Sequence, residues 1–176
     1  SKELLNYKEN ILASLSIITN YFDAEKLDKN LFLNFKIPQS RGNLVQYNKG
    51  LKKINIIDES YNSNPLSFRF AIEKFDKTFK YNKYLLVGNM LELGKFSKKL
   101  HIKLAKYIND SKIKKVYVYG NLVKHTYNKL KPQIRGKILN SNMDILNLIN
   151  KELPNKCFLM VKGSNSTGLN KIIQSL

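Results

Sequence analysis

One segment, Ile54 to Pro65, limits the folds open to this chain more than any other. It starts as a short apolar run in which Ile54, Ile56 and Ile57 are β-branched, the signature of a buried strand. The apolar character then stops at once: Asp58, Glu59, Ser60, Tyr61, Asn62 and Asn64 follow. Pro65 comes next, where the fixed φ of proline suits the first turn of a helix, with Asn64 before it as N-cap. A strand that runs through a polar loop straight into a helix is the unit of an α/β sheet, and such sheets bind ligands beyond the carboxyl ends of their strands. Capping accounts for Asn64 and Pro65. It does not account for the other polar residues or Tyr61, so this loop is the first candidate site.

The rest of the chain repeats that unit. Strands are expected near 44–48, 53–58, 83–88, 114–119, 137–139 and 156–161. Helices are expected over about 65–79, 97–109, 121–130, 142–151 and 166–175, the first with Leu66, Phe70, Ile72 and Phe75 among its apolar residues. The class is α/β and Rossmann-like, a mostly parallel sheet with helices on both faces. If the strands run parallel, the loops 58–64, 88–96 and 162–167 gather on one edge.

A different pattern precedes this domain. Ile11, Leu12, Leu15, Ile18 and Phe22 mark one apolar face of a helix over residues 6–20, and Asp23 is the N-cap expected for a second helix reaching about residue 35. Such a pair has too little surface for a core of its own. Residues 36–43 carry Pro38 and Gly42 and read as a connector, which divides the chain into 1–37, a hinge at 38–43 and a domain at 44–176. The chain starts at Ser1 in helical pattern without an initiator Met, which is expected of a piece of a longer protein.

Composition narrows the function classes. The 176 residues are 43% hydrophobic and 25% charged, ordinary values for a globular protein, and no apolar run is long enough to span a bilayer. Cys157 lies in an apolar run and reads as a buried thiol; His101 and His125 are too few and too far apart for a zinc site. These features suit a reducing cytoplasm. The net charge of +18 is spread over every segment, as a drifted, Lys-, Asn- and Ile-rich composition produces, so no specific nucleic-acid site is expected. Such a surface still favours anionic ligands. Two phosphate-loop look-alikes fail: Gly88 to Lys95 has its glycines too far apart, and Gly163 to Gly168 is followed by Leu169 where a lysine is needed.

Several stretches resemble one family in the family's own order. Asp58-Glu59-Ser60-Tyr61-Asn62-Ser63-Asn64-Pro65 is similar to the Asp-Asp-Ser-Tyr-Asn-Ala-Asn-Pro signature of the Mur ligases, in the branch that adds D-alanyl-D-alanine to UDP-N-acetylmuramoyl-tripeptide. Gly88-Asn89-Met90-Leu91-Glu92-Leu93-Gly94 resembles Gly-Asp-Met-Leu-Glu-Leu-Gly, with Asn89 replacing the Asp. Lys162-Gly163-Ser164-Asn165-Ser166 resembles Lys-Gly-Ser-Arg-Ser, with Asn165 replacing the Arg. Asn10-Ile11-Leu12-Ala13 resembles the helix that closes the family's central, ATP-binding domain, with Asn6 where a His is usual, and Ser40-Arg41 matches a hinge Gly-Arg. His101 matches a His at the start of a helix.

The resemblance implies a monomeric, cytoplasmic, ATP-dependent amide-bond ligase of peptidoglycan synthesis. ATP phosphorylates the tripeptide carboxylate and the amine of D-alanyl-D-alanine attacks the acyl phosphate. It further implies that Asn10, Arg41, Asp58, Tyr61 and Asn62 meet ATP, with Asp58 accepting from the ribose hydroxyls. Ser60, Asn64, Asn89, Glu92, Lys162 and Ser164 would meet the substrates, Lys162 with the helix-start amides that follow it binding an anion. The phosphate loop and most Mg2+ ligands of the family lie ahead of the part matched here, so catalysis by these residues alone is not expected. A nucleotide-binding module without ligase activity and a basic nucleic-acid-binding module are the two other classes.

Overall fold

A computed structural model describes residues 8–32, 38–80 and 82–176. They fall into two compact units, Ser1–Pro38 and Gln39–Leu176. Among the described residues, no helix is long and apolar enough to cross a membrane.

The first unit holds helix α1, Lys8–Ile18. Ile11, Leu15 and Ile18 are half-buried, while Leu12 and Phe22 are exposed, so the apolar face read from the sequence is only partly covered. The second helix expected from Asp23 is instead a single 3-10 turn, Ala24–Lys26. Asp23 does cap it, accepting from Glu25 N at 3.2 Å. The turn goes no further because the Asp28 carboxylate accepts from Asn30 N at 2.8 Å, a local bond that competes with helix propagation. Asn6 and residues 33–37 lie outside the described residues.

The second unit is a six-stranded sheet in the order β1-β2-β6-β3-β4-β5. Its strands are β1 (Asn43–Lys49), β2 (Lys52–Glu59), β3 (Lys83–Gly88), β4 (Lys115–Tyr119), β5 (Arg135–Leu139) and β6 (Cys157–Lys162). Five run parallel and β1 is antiparallel to β2 at the edge. The central strands are buried on both faces, which is why they read as continuous apolar runs rather than alternating ones. On one face Ile54, Ile56, Leu86, Tyr117, Leu159 and Val161 pack against α5 (Asn142–Asn147), its continuation in a π-turn at Leu148–Glu152, and α6 (Leu169–Gln174). On the other, Leu85, Val87, Val116, Val118 and Met160 pack against α2 (Pro65–Thr78) and α3 (Ser97–Asn109), with Val123 and Leu130 flanking α4 (Lys124–Tyr127).

Several helices differ from expectation. In α2 the buried face is Phe68, Ala71, Ile72 and Phe75, spaced i, i+3, i+4, i+7, while Leu66 and Phe70 are exposed. The helix expected at 121–130 is one turn, Lys124–Tyr127, with turns on either side. The last helix is broken at Gly168, whose φ of 77° ends a 3-10 turn at Asn165–Thr167 before α6 begins.

Candidate functional site

Register sets the site. Parallel pairing of β2 with β6 puts Glu59 opposite Lys162, and β6 pairs with β3 so that Val87 stands opposite Lys162. The loops after β2, β6 and β3 therefore leave the same edge side by side. Gly88 and Gly163 let the last two of these touch: a Cβ on Gly163 would stand 3.1 Å from the Gly88 Cα, and one on Gly88 would run into Leu169 at 2.7 Å. Across this contact Ser164 N donates to the Asn89 carbonyl (3.0 Å) and Leu91 N donates to Ser164 Oγ (2.9 Å).

At the β2 end the polar side chains are largely bonded to one another. Asp58 is 2% exposed; its carboxylate accepts from Ser40 Oγ (2.7 Å), from Ser60 N (3.1 Å) and from Ser60 Oγ. Ser40 holds a left-handed φ of 60°, and its carbonyl accepts from Tyr61 N at 3.0 Å. Gly42 N donates to the Asp58 carbonyl at 2.7 Å, so the connector is stitched to β2. Outside this cage, the Arg41 guanidinium lies 4.3 Å from the centroid of the Tyr61 ring, and both residues are exposed. Asn64 is committed to the start of α2: its Oδ1 accepts from Ser67 N (2.8 Å) and Ser67 Oγ accepts from Asn64 N (3.1 Å), a reciprocal capping box.

Lys162 is 1% exposed, with its Nζ donating to the Asn62 carbonyl at 3.1 Å and 3.7 Å from Glu59 Oε2. Burial pulls its pKa below the ordinary lysine value, opposed by the Glu59 charge and hydrogen bond. An ammonium held in that condition binds an anion more strongly than a solvated one does, because the charges interact through less water.

The β3, β4 and β5 ends are open. A cleft of about 350 Å³ lies there, lined in part by Asn89, Gly120, Asn121, Lys124 and Asn140. Among the described residues lining it, Lys124 is the one charged side chain; its Nζ donates to Asn121 Oδ1 at 3.1 Å. Asn89 Oδ1 accepts from Val123 N at 3.0 Å, and Gly120, at φ 116°, leaves the Asn89 amide the space that a Cβ, 2.6 Å away, would take. The amide thus keeps the orienting bond that a carboxylate at this position would make.

The residues expected from the sequence therefore separate. Asp58 and Ser60 meet each other, Arg41 meets Tyr61, Lys162 meets the backbone of Asn62, and Asn89 meets Ser164. Glu92 is exposed at a left-handed φ of 62°. Asn10 is an exposed residue of α1, in the other unit. His101 is not at the edge but behind it, fully buried, with Nε2 accepting from Met90 N at 3.0 Å. Sequence reasoning missed Ser40 and Glu59 as partners of Asp58 and Lys162, and it missed the wall formed by Gly120, Asn121 and Lys124. Gly120-Asn121 at the end of a strand was the one signal for that wall. Among the described residues, no three His, Cys, Asp or Glu side chains converge as a metal site.

Comparison with known proteins places this geometry in context. The family described as "Mur ligase, glutamate ligase domain" matches residues 41–165, well over half of the chain. Curated relatives named UDP-N-acetylmuramoyl-tripeptide--D-alanyl-D-alanine ligase are similar: that of Rickettsia prowazekii is 29% identical over 137 residues, 78% of this chain and 30% of the relative. That of Buchnera aphidicola subsp. Baizongia pistaciae is 30% identical over 98% of this chain and 37% of the relative. The fold matches a MurF ligase from Thermotoga maritima crystallised with ADP, at a TM-score of 0.71 and 23% identity over 94% of this chain and 36% of that one. The chain thus spans about a third of the length of these relatives.

Proposed function

The chain belongs to the Mur ligase family, and from that premise we propose that it serves an ATP-dependent amide-bond ligase joining D-alanyl-D-alanine to UDP-N-acetylmuramoyl-tripeptide. Within that enzyme, residues 44–176 act as the domain that receives the dipeptide and closes on the nucleotide, residues 1–37 as the end of the ATP-binding domain, and the connector at 38–43 as the hinge between them. The observation that carries the reading is the cross-bonded edge: the loops after β2, β6 and β3, each bearing a family motif, are held together by register and by the Ser164 bonds. A reaction in the cytoplasm is consistent with the reading.

Each part of the edge has work suited to its chemistry. Arg41 and Tyr61 form an exposed cation and ring, a pair able to hold the sugar and phosphates of ATP as the hinge closes. Asp58 fixes that pair from behind, because its bonds to Ser40 and Ser60 set the path of the chain on both sides of it. ATP supplies the phosphoryl group that activates the tripeptide carboxylate. Lys162 offers a desolvated positive charge where negative charge develops. The cleft, of a size for a small peptide, presents Lys124 and the amides of Asn121 and Asn140, donors suited to the carboxylate and peptide group of a dipeptide. That seat would turn its amine toward the Lys162 loop, through Ser166 and Thr167 on the shared wall.

The test is ADP release by the full-length product of the gene, supplied with ATP, the tripeptide nucleotide and D-alanyl-D-alanine. Lys124→Met is expected to raise the dipeptide KM about tenfold, the loss of one hydrogen bond to a charged group, with the ATP KM unchanged. ADP release that does not depend on the dipeptide would contradict the ligase reading.

A further inference from the structure

His101 lies outside the edge, yet it is bonded to two of the elements that shape the cleft. Its imidazole is fully buried. Nε2 accepts from Met90 N at 3.0 Å, so the ring proton is on Nδ1, which donates to the Ser97 carbonyl at 2.8 Å. The His101 carbonyl accepts from Thr126 Oγ1 at 2.7 Å, and Thr126 is also fully buried. Thr126 belongs to α4, which Val123 precedes, and Val123 N donates to Asn89 Oδ1 at 3.0 Å. Asn89 adjoins Met90, so the bonds close a circuit from the β3 loop to α3, on to α4, and back. Asn89 and Leu91 on one arm and Lys124 on the other line the cleft.

We propose that His101 is the positioning residue of this cleft, holding the β3 loop and the start of α4 in register through that circuit, and that the circuit opens when the imidazole takes up a second proton. Helix packing alone would call for an apolar side chain in so buried a place. The site instead uses a ring with an acceptor on one side and a donor on the other. Protonated Nε2 carries a hydrogen directed at the Met90 N–H, and the contact turns from attractive to repulsive. Burial favours the neutral ring, and the bond to the Ser97 carbonyl opposes it. Of the groups on the elements around it, Ser97 on α3 and Met90 on the loop carry no charge, and the His125 charge on α4 also disfavours a second cation. The inference rests on the proposed function only for the identity of the dipeptide.

Nitrogen-detected NMR on the 176-residue chain tests the circuit without any substrate. The His101 ring is expected to show the Nδ1–H tautomer at neutral pH. As pH falls, the amides of Met90 and Val123 and the signals of Asn121 and Lys124 should shift with the midpoint of the His101 ring, below 6.5, while Ile173 on the opposite face stays fixed. His101→Gln, which keeps an acceptor, should abolish that midpoint and leave the cleft signals near their neutral positions. His101→Leu should displace them at every pH, and Thr126→Val does the same from the other arm if His101→Leu fails to fold. Cleft signals that ignore the ring's titration, or that do not move in Thr126→Val, would overturn the proposal. In the full-length protein His101→Gln should raise the dipeptide KM less than His101→Leu does. If the cleft signals move as stated but the dipeptide KM does not, the circuit stands and the assignment of the cleft to the dipeptide falls.

Discussion

The two halves of the sheet's carboxyl edge share one architecture and use their polar groups in opposite ways. At the β2 and β6 ends, Asp58, Ser60, Ser40, Asn64 and Lys162 are bonded to each other or to nearby backbone, and four of the five are buried. At the β3, β4 and β5 ends, a cleft stands open between Asn89, Asn121, Lys124 and Asn140. The first half resembles the supporting frame of a site, the second its seat. A loop dense in polar residues is thus a weaker pointer to direct ligand contact than its composition suggests, because a strand end must satisfy its own backbone and side chains first.

The contrast breaks most sharply at Gly120. Its φ of 116° is strained for any other residue, and a Cβ there would meet the Asn89 amide at 2.6 Å. Gly120→Ala combines backbone strain with overpacking and is expected to cost about 3 kcal/mol of unfolding free energy. Gly50→Ala, at φ 57° with open space around it, has only the strain and should cost about 1 kcal/mol. Urea unfolding of the two variants checks the difference; equal losses would show that the Asn89 contact is not what the glycine serves.

Asp58→Ala probes the closed half. The buried Ser40 and Ser60 hydroxyls lose their acceptor, and each stranded donor costs on the order of 1–3 kcal/mol. Together the loss should be about 2–6 kcal/mol in the same unfolding experiment, with the Arg41 and Tyr61 signals displaced. A fully stable Asp58→Ala protein that has lost ATP use would instead mean that the carboxylate serves the ribose directly.

How far the sequence disclosed this follows from where the determinants lie. Strand positions were legible because buried parallel strands are uniform apolar runs, and Leu85 to Val87 or Leu159 to Val161 can be little else. The gathering of three loops was legible too, since it needs only parallel strands. The buried faces of helices were not: α2 matches its expected extent, but its buried face is Phe68, Ala71, Ile72 and Phe75, while Leu66 and Phe70 are equally apolar, and only packing chooses between them. The cleft was missed because Gly120, Asn121 and Lys124 are common turn residues, and their meaning comes from Asn89, distant in sequence. The same holds for Ser40, whose bond to Asp58 joins the connector to a strand.

Lys162→Met separates support from stability within the closed half. The buried ammonium is compensated by Glu59 at 3.7 Å and one carbonyl, and Glu59 retains partial access to water when the lysine is removed. Replacing such an ion by an apolar side chain of similar length is expected to raise stability by about 1–2 kcal/mol. Ligase activity in the full-length protein should be lost in the same variant. A destabilised Lys162→Met would show that the lysine is structural.

The smallest expected effect is a pH dependence that ties both halves to one physical cause. Burial lowers the pKa of His101 on the open side and of Lys162 on the closed side. In each case the unfolded chain holds its proton over a range where the folded chain has lost it, so stability rises with pH across that range. For His101 the contribution is complete above the ordinary histidine value of 6.5 and is lost as pH falls from there through the folded pKa. For Lys162 the cost of the buried ammonium is present in full at neutral pH and is relieved as pH rises from the folded pKa toward 10.5. Unfolding free energies of the parent and His101→Gln, compared between pH 5 and 7, isolate the first window; the parent should lose stability toward acid faster than the variant. The same comparison with Lys162→Met above neutrality isolates the second, and there the parent should gain on the variant as pH rises. A His101→Gln profile parallel to the parent's would mean that the imidazole is already free to take up its proton in the fold, and the open half would then have no titrating support behind it.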